Sequence, residues 1–271
     1  MTQNHRRIRS FVYVAACVGV LAVALWAGLA VQAAPAPAPV PAPVSAPLAD
    51  SPWNTNVRVN DTATAGPVPR GNLAMTAISS TGRLYAMWED ERNGDPDIYV
   101  SRSTDNGATW RNITRVNHDV PGNDQTQPDV AVNITGTLHA VWLDDRSGVT
   151  AIYYANSTDG LTWSDEVRIN DVATATANYP AVAVYGNKVC AAWVDNRNGT
   201  YADVFADCST DGGASWGTDD RVSGDTPGAY NHYDPDIAVD SSGAPHVVWT
   251  SPWDEIYYAH QAFKIWADRV S

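Results

Sequence analysis

"STDNGATW" runs from Ser103 to Trp110. Read once, an acid among hydroxyls suggests chemistry. The string recurs, however: "STDGLTW" begins at Ser157, one residue shorter, and "STDGGASW" begins at Ser209. Upstream of each copy stands a second shared string: "WEDERNG" from Trp88, "WLDDRSG" from Trp142 and "WVDNRNG" from Trp193. A degenerate fourth copy, "WTSPWDE", starts at Trp249. The four tryptophans are spaced by 54, 51 and 56 residues (142 − 88, 193 − 142, 249 − 193). A feature present in every repeat is scaffolding before it is an active site, because a catalytic centre is assembled once.

Each unit reads as four short strands. In the second unit strand A is "PDVAV" from Pro128, strand B "TLHAVWL" from Thr137, strand C "AIYYANS" from Ala151 and strand D "EVRIN" from Glu166. The strands are rich in β-branched and aromatic residues and are bounded by Gly, Asn, Asp and Pro turns. Four-stranded units of about 50 residues in tandem predict an all-β fold, a β-propeller of four-stranded blades. "NTNVRVND" from Asn54 looks like an outer strand D placed before any strand A, and four units follow.

The S-x-D-x-G-x-x-W pattern resembles the Asp box, or BNR repeat, of sialidase-type propellers. Ser103, Asp105, Gly107 and Trp110 match it, as do Ser209, Asp211, Gly213 and Trp216. The middle copy, with Ser157, Asp159 and Trp163, lacks one residue, and the fourth, "QAFKIW", keeps only Trp266. The resemblance covers residues 53 to 271. It implies a sialidase-like propeller in which these residues brace turns. Sialidase-like rings have six blades, so about four blades imply part of such a ring, incomplete at the C-terminus.

The N-terminal region has a different composition. Arg6, Arg7 and Arg9 precede an uncharged run from Phe11 to Val31, which reads as a signal peptide or signal anchor over residues 1–33. "APAPAPVPAPVSAP" within residues 34–50 is a stiff polyproline spacer, and the propeller occupies residues 51–271. The expected location is extracellular or on the cell surface, with the membrane a partner if the segment stays uncleaved. A net charge of −13 argues against nucleic acid as a partner. No cofactor is called for. The acidic loop "EDERNGDPD" offers oxygens to Ca²⁺, but its spacing is not that of a calcium-binding loop.

Antiparallel strands place the Asp-box turns (C–D) and the W-x-D-x-R-x-G loops (B–C) on opposite faces of the disc. The repeated pairs Asp90/Arg92, Asp144/Arg146 and Asp195/Arg197 read as local braces or as a ligand-facing rim. Residues that do not repeat on the B–C face are the better binding candidates: Tyr230, Asn231, His232 and Tyr233 before the fourth strand A, with Trp253 and Asp254 beside Glu255 in the fourth B–C loop. Aromatics with adjacent amides and acids suit sugar stacking and hydroxyl recognition. Cys190 and Cys208 fall at facing positions of strands B and C and predict a cross-strand disulfide.

The family resemblance supplies a catalytic expectation as well. Sialidases use a Tyr–Glu nucleophile, an Asp acid/base and an arginine triad. Asp95, behind Arg92, matches the acid/base Asp of the first B–C loop. The first arginine belongs to an [FY]-R-I-P motif. Thr126 and Tyr233 stand there instead, and Arg70 in "VPRGN" lies out of register. The leading expectation is therefore a glycan-binding propeller. The alternatives are a sialidase-like glycoside hydrolase (an exo-α-sialidase) or a fragment of one, and a cell-surface interaction scaffold.

Overall fold

The computed structural model describes residues 56–60, 73–78, 82–118, 122–253 and 255–261. The signal or anchor segment, the spacer, Arg70, Asp254, Trp266 and the expected last strand at 268–271 lie outside the described residues. Among the described residues no helix is long and apolar enough to cross a membrane.

The fold is an all-β partial propeller. Blade I contains β1 (Leu73–Ile78), β2 (Arg83–Asp90), β3 (Asp97–Ser103) and β4 (Arg111–Arg115). Blade II contains β5 (Gln125–Val132), β6 (Leu138–Asp144), β7 (Ala151–Ser157) and β8 (Val167–Arg168). Blade III contains β9 (Ala177–Tyr185), β10 (Lys188–Asp195), β11 (Asp203–Ser209) and β12 (Asp220–Arg221). Blade IV has β13 (Tyr233–Val239), β14 (Pro245–Thr250) and β15 (Ile256–His260) among the described residues. Each sheet is an antiparallel meander in sequence order. Asn56–Asn60, expected within an outer strand, belong to no described strand. An outer strand exists only through its ladder to a neighbouring edge, and none forms there.

β6 shows why the blades stack. All seven of its residues are buried, because a central strand is covered on both faces by neighbouring blades. Its residues divide by parity. Leu138, Ala140 and Trp142 pack toward blade I with Tyr85, Met87, Ile98 and Val100. Val141 and Leu143, with Ile152 and Tyr154, pack toward Ala191, Trp193 and Phe205 of blade III. The strand period of two thus supplies a front face toward the next blade and a back face toward the previous one.

The repeated turns lock these faces together. In each full copy the serine oxygen accepts the glycine amide and the aspartate accepts the amide and hydroxyl that follow: Gly107 N–H to Ser103 Oγ is 2.8 Å, and Thr109 Oγ1 to Asp105 Oδ2 is 2.6 Å. Gly213 N–H to Ser209 Oγ is 2.8 Å, and Ser215 Oγ to Asp211 Oδ2 is 2.5 Å. These bonds, led by the Thr109 hydroxyl, hold the Asp105 carboxyl down to about 2. The glycines carry the stacking. A Cβ on Gly213 would meet the Tyr154 hydroxyl of blade II at 1.9 Å, and one on Gly160 would meet the Tyr85 ring of blade I at 2.5 Å. Trp163 is buried in the core between blades I and II, and Trp216 packs against the core between II and III.

Cys190 and Cys208 face each other in the β10–β11 ladder and form a disulfide with Cα atoms 4.1 Å apart. The same register places Tyr85 opposite Arg102, His139 opposite Asn156, and His246 opposite His260.

Candidate functional site

On the B–C face the repeated tryptophan strings prove to be closed units. Trp88 Nε1 donates to Asp90 Oδ2 at 3.0 Å, and Arg92 Nη2 pairs with the same oxygen at 2.6 Å. The Arg92 guanidinium lies 4.4 Å over the Tyr99 ring. Burial pushes the Asp90 carboxyl up, but the bonds from Arg92 and Trp88 outweigh it and hold it below its ordinary value. Arg146 sits over Tyr153 and Arg197 over Phe205 in the same way. Two of the arginines also reach an acid ahead of strand D: Arg146 to Glu166 at 3.3 Å and Arg197 to Asp219 at 2.6 Å. Glu166 accepts the amide of His118, and Asp219 that of Asp171, both in loops that follow the previous blade. The strings of blades II and III thus brace the preceding blade through Glu166 and Asp219, while Arg92 is bound up with Trp88, Asp90 and Tyr99 of its own blade.

Asp95 lies at the loop tip and accepts the amide of Gly122 at 2.5 Å. Nearby, Asp145 accepts the Asp124 amide at 2.8 Å. Burial, then Asp145 and Asp95, push the Asp124 carboxyl above its ordinary value. These three acids share the B–C face between blades I and II.

The inner strands β1, β5, β9 and β13 pack on one another in chain order. At the same point of three of them a non-glycine residue before proline turns left-handed: Gln127 (φ 53°), Tyr179 (φ 57°) and Asp234 (φ 46°). Such a conformation costs about 1–3 kcal/mol per residue and is retained only where surroundings enforce it. Here buried Glu89 accepts the Gln127 amide at 2.6 Å, and Gln127 Oε1 accepts the Tyr179 amide at 3.1 Å. Sequence reasoning passed over Glu89 and Gln127. The signal available was that Glu89 stands where the other units carry Leu143, Val194 and Thr250.

The third region lies between blades III and IV. A cavity of about 320 Å³ opens on the B–C face and is lined by Tyr230, His232, Trp249, Trp253 and Tyr257, among others. Tyr230 and Trp253 are both exposed and meet edge to face, with ring centroids 4.7 Å apart. His232 is buried against Trp249. Of the other sequence candidates, Asn231 spends its side-chain oxygen on the Ala202 amide at 3.0 Å, and Tyr233 belongs to β13, facing Thr250. Trp249 and Tyr257 line the cavity without having been singled out, because their strand positions read as core.

Asp203, Asp225 and His232 converge beside this cavity and offer ligand atoms within 4.8 Å of one another. The donor set does not suit a cation. Asp203 already accepts from Asn198 (2.7 Å), the Gly228 amide (3.0 Å), Arg221 and Ser223 (both 3.3 Å), which fills its four lone-pair directions. Arg221 also reaches Asp225 at 3.4 Å and supplies the positive charge. His232 Nε2 is 3.2 Å from Asp225, close enough for an ion pair but out of hydrogen-bond alignment. The cluster repeats in part in blade I, where Asp97 holds Arg115 at 3.3 Å. It is an ion-pair network that supports the cavity wall.

No known protein family matches the chain's sequence, and no curated protein does. Solved structures do share the fold. An α-L-arabinofuranosidase of Fusarium graminearum, in complex with arabinobiose, is 19% identical, with a TM-score of 0.55 over 70% of this chain and 61% of that one. An α-L-arabinanase of Penicillium chrysogenum, also with arabinobiose, is 20% identical, with a TM-score of 0.52 over 70% and 62%. A Hadza microbial sialidase is 18% identical, with a TM-score of 0.53 over 70% and 43%. At such identities the likeness shows the fold alone. The chain spans about 60% of the length of the arabinofuranosidase and arabinanase it matches.

Proposed function

We propose that this chain is an exported propeller that binds a glycan at the mouth of the cavity between blades III and IV. The observation that carries this reading is the exposed Tyr230–Trp253 pair over the aromatic cavity. Aromatic faces stack on the C–H faces of sugar rings. The propellers whose fold it shares are named as an arabinofuranosidase, an arabinanase and a sialidase, which favours a carbohydrate over other ligands. The arginine-led apolar segment at Phe11–Val31 supports export, with tethering at the membrane where it is retained. A glycan array carrying arabino- and sialo-oligosaccharides tests the reading. Binding that Trp253→Ala abolishes supports it, and an array with no signal overturns it.

A second reading, glycoside hydrolysis, is favoured by one observation: Asp124 is pushed toward its protonated form beside Asp145 and Asp95 on the B–C face. A carboxyl pushed up by burial beside other acids is the kind of group that acid/base cleavage of a glycosidic bond uses. Turnover of a fluorogenic arabinofuranoside or sialoside, lost in Asp95→Ala and in Asp124→Asn, would establish it.

A further inference from the structure

The B–C string of blade IV keeps the turn of the other blades and exchanges its contents. Register sets Trp249 opposite Tyr257, as it sets Trp88 opposite Tyr99, Trp142 opposite Tyr153 and Trp193 opposite Phe205. Two residues on, Ser251 stands where those blades carry Asp90, Asp144 and Asp195. Four residues on, Trp253 stands where they carry Arg92, Arg146 and Arg197. The bond that shapes the turn survives: the Trp253 amide donates to Ser251 Oγ at 3.2 Å, as the Arg197 amide donates to Asp195 Oδ1 at 3.1 Å. The indole bond does not. Trp88, Trp142 and Trp193 each donate Nε1–H to their aspartate, at 3.0, 3.4 and 3.0 Å. The shorter Ser251 leaves Trp249 Nε1 buried and without a hydrogen-bond partner.

A third exchange falls at the same place. Tyr233 faces Thr250, so His232 stands at the position from which Gln125 faces Asp144 and Ala177 faces Asp195. The His232 ring is buried edge to face with Trp249, centroids 6.3 Å apart, and neither of its nitrogens has a hydrogen-bond partner. Buried polar groups are paired as a rule, because an unpaired one forfeits its bonds to water. Trp249 offers a donor, and a neutral imidazole offers one donor and one acceptor. Both side chains line the cavity that also bears Tyr230 and Trp253.

Charge decides which kind of group they receive. The described lining of the cavity includes Asp225 and contains no arginine or lysine beside it. Arg221, behind the wall, is already shared by Asp203 at 3.3 Å and Asp225 at 3.4 Å. Glu255 adds a further negative charge, bonded to the Tyr257 hydroxyl at 2.8 Å. A carboxylate entering here would lose its water against acids, with no cation to pair it. A hydroxyl carries no charge, and it both accepts and donates.

We propose, building on the glycan reading above, that this cavity takes an uncharged sugar and rejects sugars bearing a carboxylate. One hydroxyl occupies the place that the aspartate oxygen fills in blades I to III, accepting from Trp249 Nε1–H and donating to His232. Ser251→Asp is the deciding variant, because it returns the acid of the other blades to that place and leaves Tyr230 and Trp253 untouched. Calorimetric titration of the full chain with neutral arabino-oligosaccharides, and separately with sialo-oligosaccharides, reads the affinities. The wild type is expected to bind the neutral sugars at least about tenfold more tightly, and Ser251→Asp to weaken that binding at least about tenfold. Should Ser251→Asp misfold by circular dichroism, Trp249→Phe, which removes only the indole ring's donor and bulk, takes its place with the same expected loss. Sialo-oligosaccharides bound as tightly as neutral ones overturn the proposal. So does wild-type affinity in Ser251→Asp while Trp253→Ala loses binding, a result that leaves the glycan reading standing. Binding of neither sugar by the wild type overturns both.

Discussion

The Tyr154 hydroxyl of blade II donates to the carbonyl of Gly212, in the turn of blade III, across 3.1 Å. A phenol has one proton, so the contact at His139 Nδ1 must be an N–H donated to the tyrosine oxygen. That leaves His139 neutral, with Nε2 buried and without a partner, and burial holds its pKa down to about 4. One turn of a neighbouring blade thus sets the tautomer of a buried histidine.

The glycine after Gly212 is the tightest point of that contact. Gly213 has φ +92°, and a Cβ there would fall 1.9 Å from the Tyr154 oxygen. Gly213→Ala is expected to destabilise the propeller by about 2–4 kcal/mol, from backbone strain plus displacement of a packed ring. Gly148→Ala is left-handed too, but has open space around it, and should cost only the backbone part. Urea midpoints of the two variants make the comparison.

The disulfide makes a separate contribution. Cys190 and Cys208 are 18 residues apart, and closing a loop of that size removes about 3 kcal/mol worth of unfolded-state freedom. A calorimetric scan with and without reductant should show a lower melting temperature on reduction. Cys190→Ser/Cys208→Ser should melt at the reduced temperature and ignore the reductant.

Two buried groups give opposing pH dependences. Burial pushes Asp207 up to about 6 from 3.8, so between those values the folded state holds more protons than the unfolded state. Its contribution is fully present below 3.8 and is lost as pH rises through 6. His139, at about 4 against an ordinary 6.5, acts in reverse, and stability is lost as pH falls from 6.5 toward 4. Asp207→Asn should gain about 1–3 kcal/mol at pH 7 and leave only the acid-side loss. His139→Gln should remove that acid-side loss. Denaturant unfolding at pH 4 to 7 separates the two.

The blades, the strand order and the pairing of Cys190 with Cys208 were legible because the repeats align with one another. Once Trp88, Trp142 and Trp193 are superposed, the register of every B–C hairpin follows. What lies between blades was not legible. The Tyr154–Gly212 bond, the Glu89–Gln127–Tyr179 chain and the four donors on Asp203 join residues from different loops and blades, with no local pattern to mark them. Repetition even misleads at the candidate site. Trp249 and Tyr257 occupy core positions by pattern, yet line the cavity where blade IV departs from the others. Asn231 stands beside Tyr230, and nothing in the sequence signals that its oxygen accepts the Ala202 amide.

The proposed site stacks a sugar on the Tyr230–Trp253 pair. Its most direct test is a titration of the full chain with arabino- and sialo-oligosaccharides, followed by tryptophan fluorescence. A saturable change is expected, weakened at least about tenfold in Trp253→Ala, which corresponds to about 1.4 kcal/mol. No saturable change with any of these oligosaccharides, or an unaltered affinity in Trp253→Ala, would contradict it.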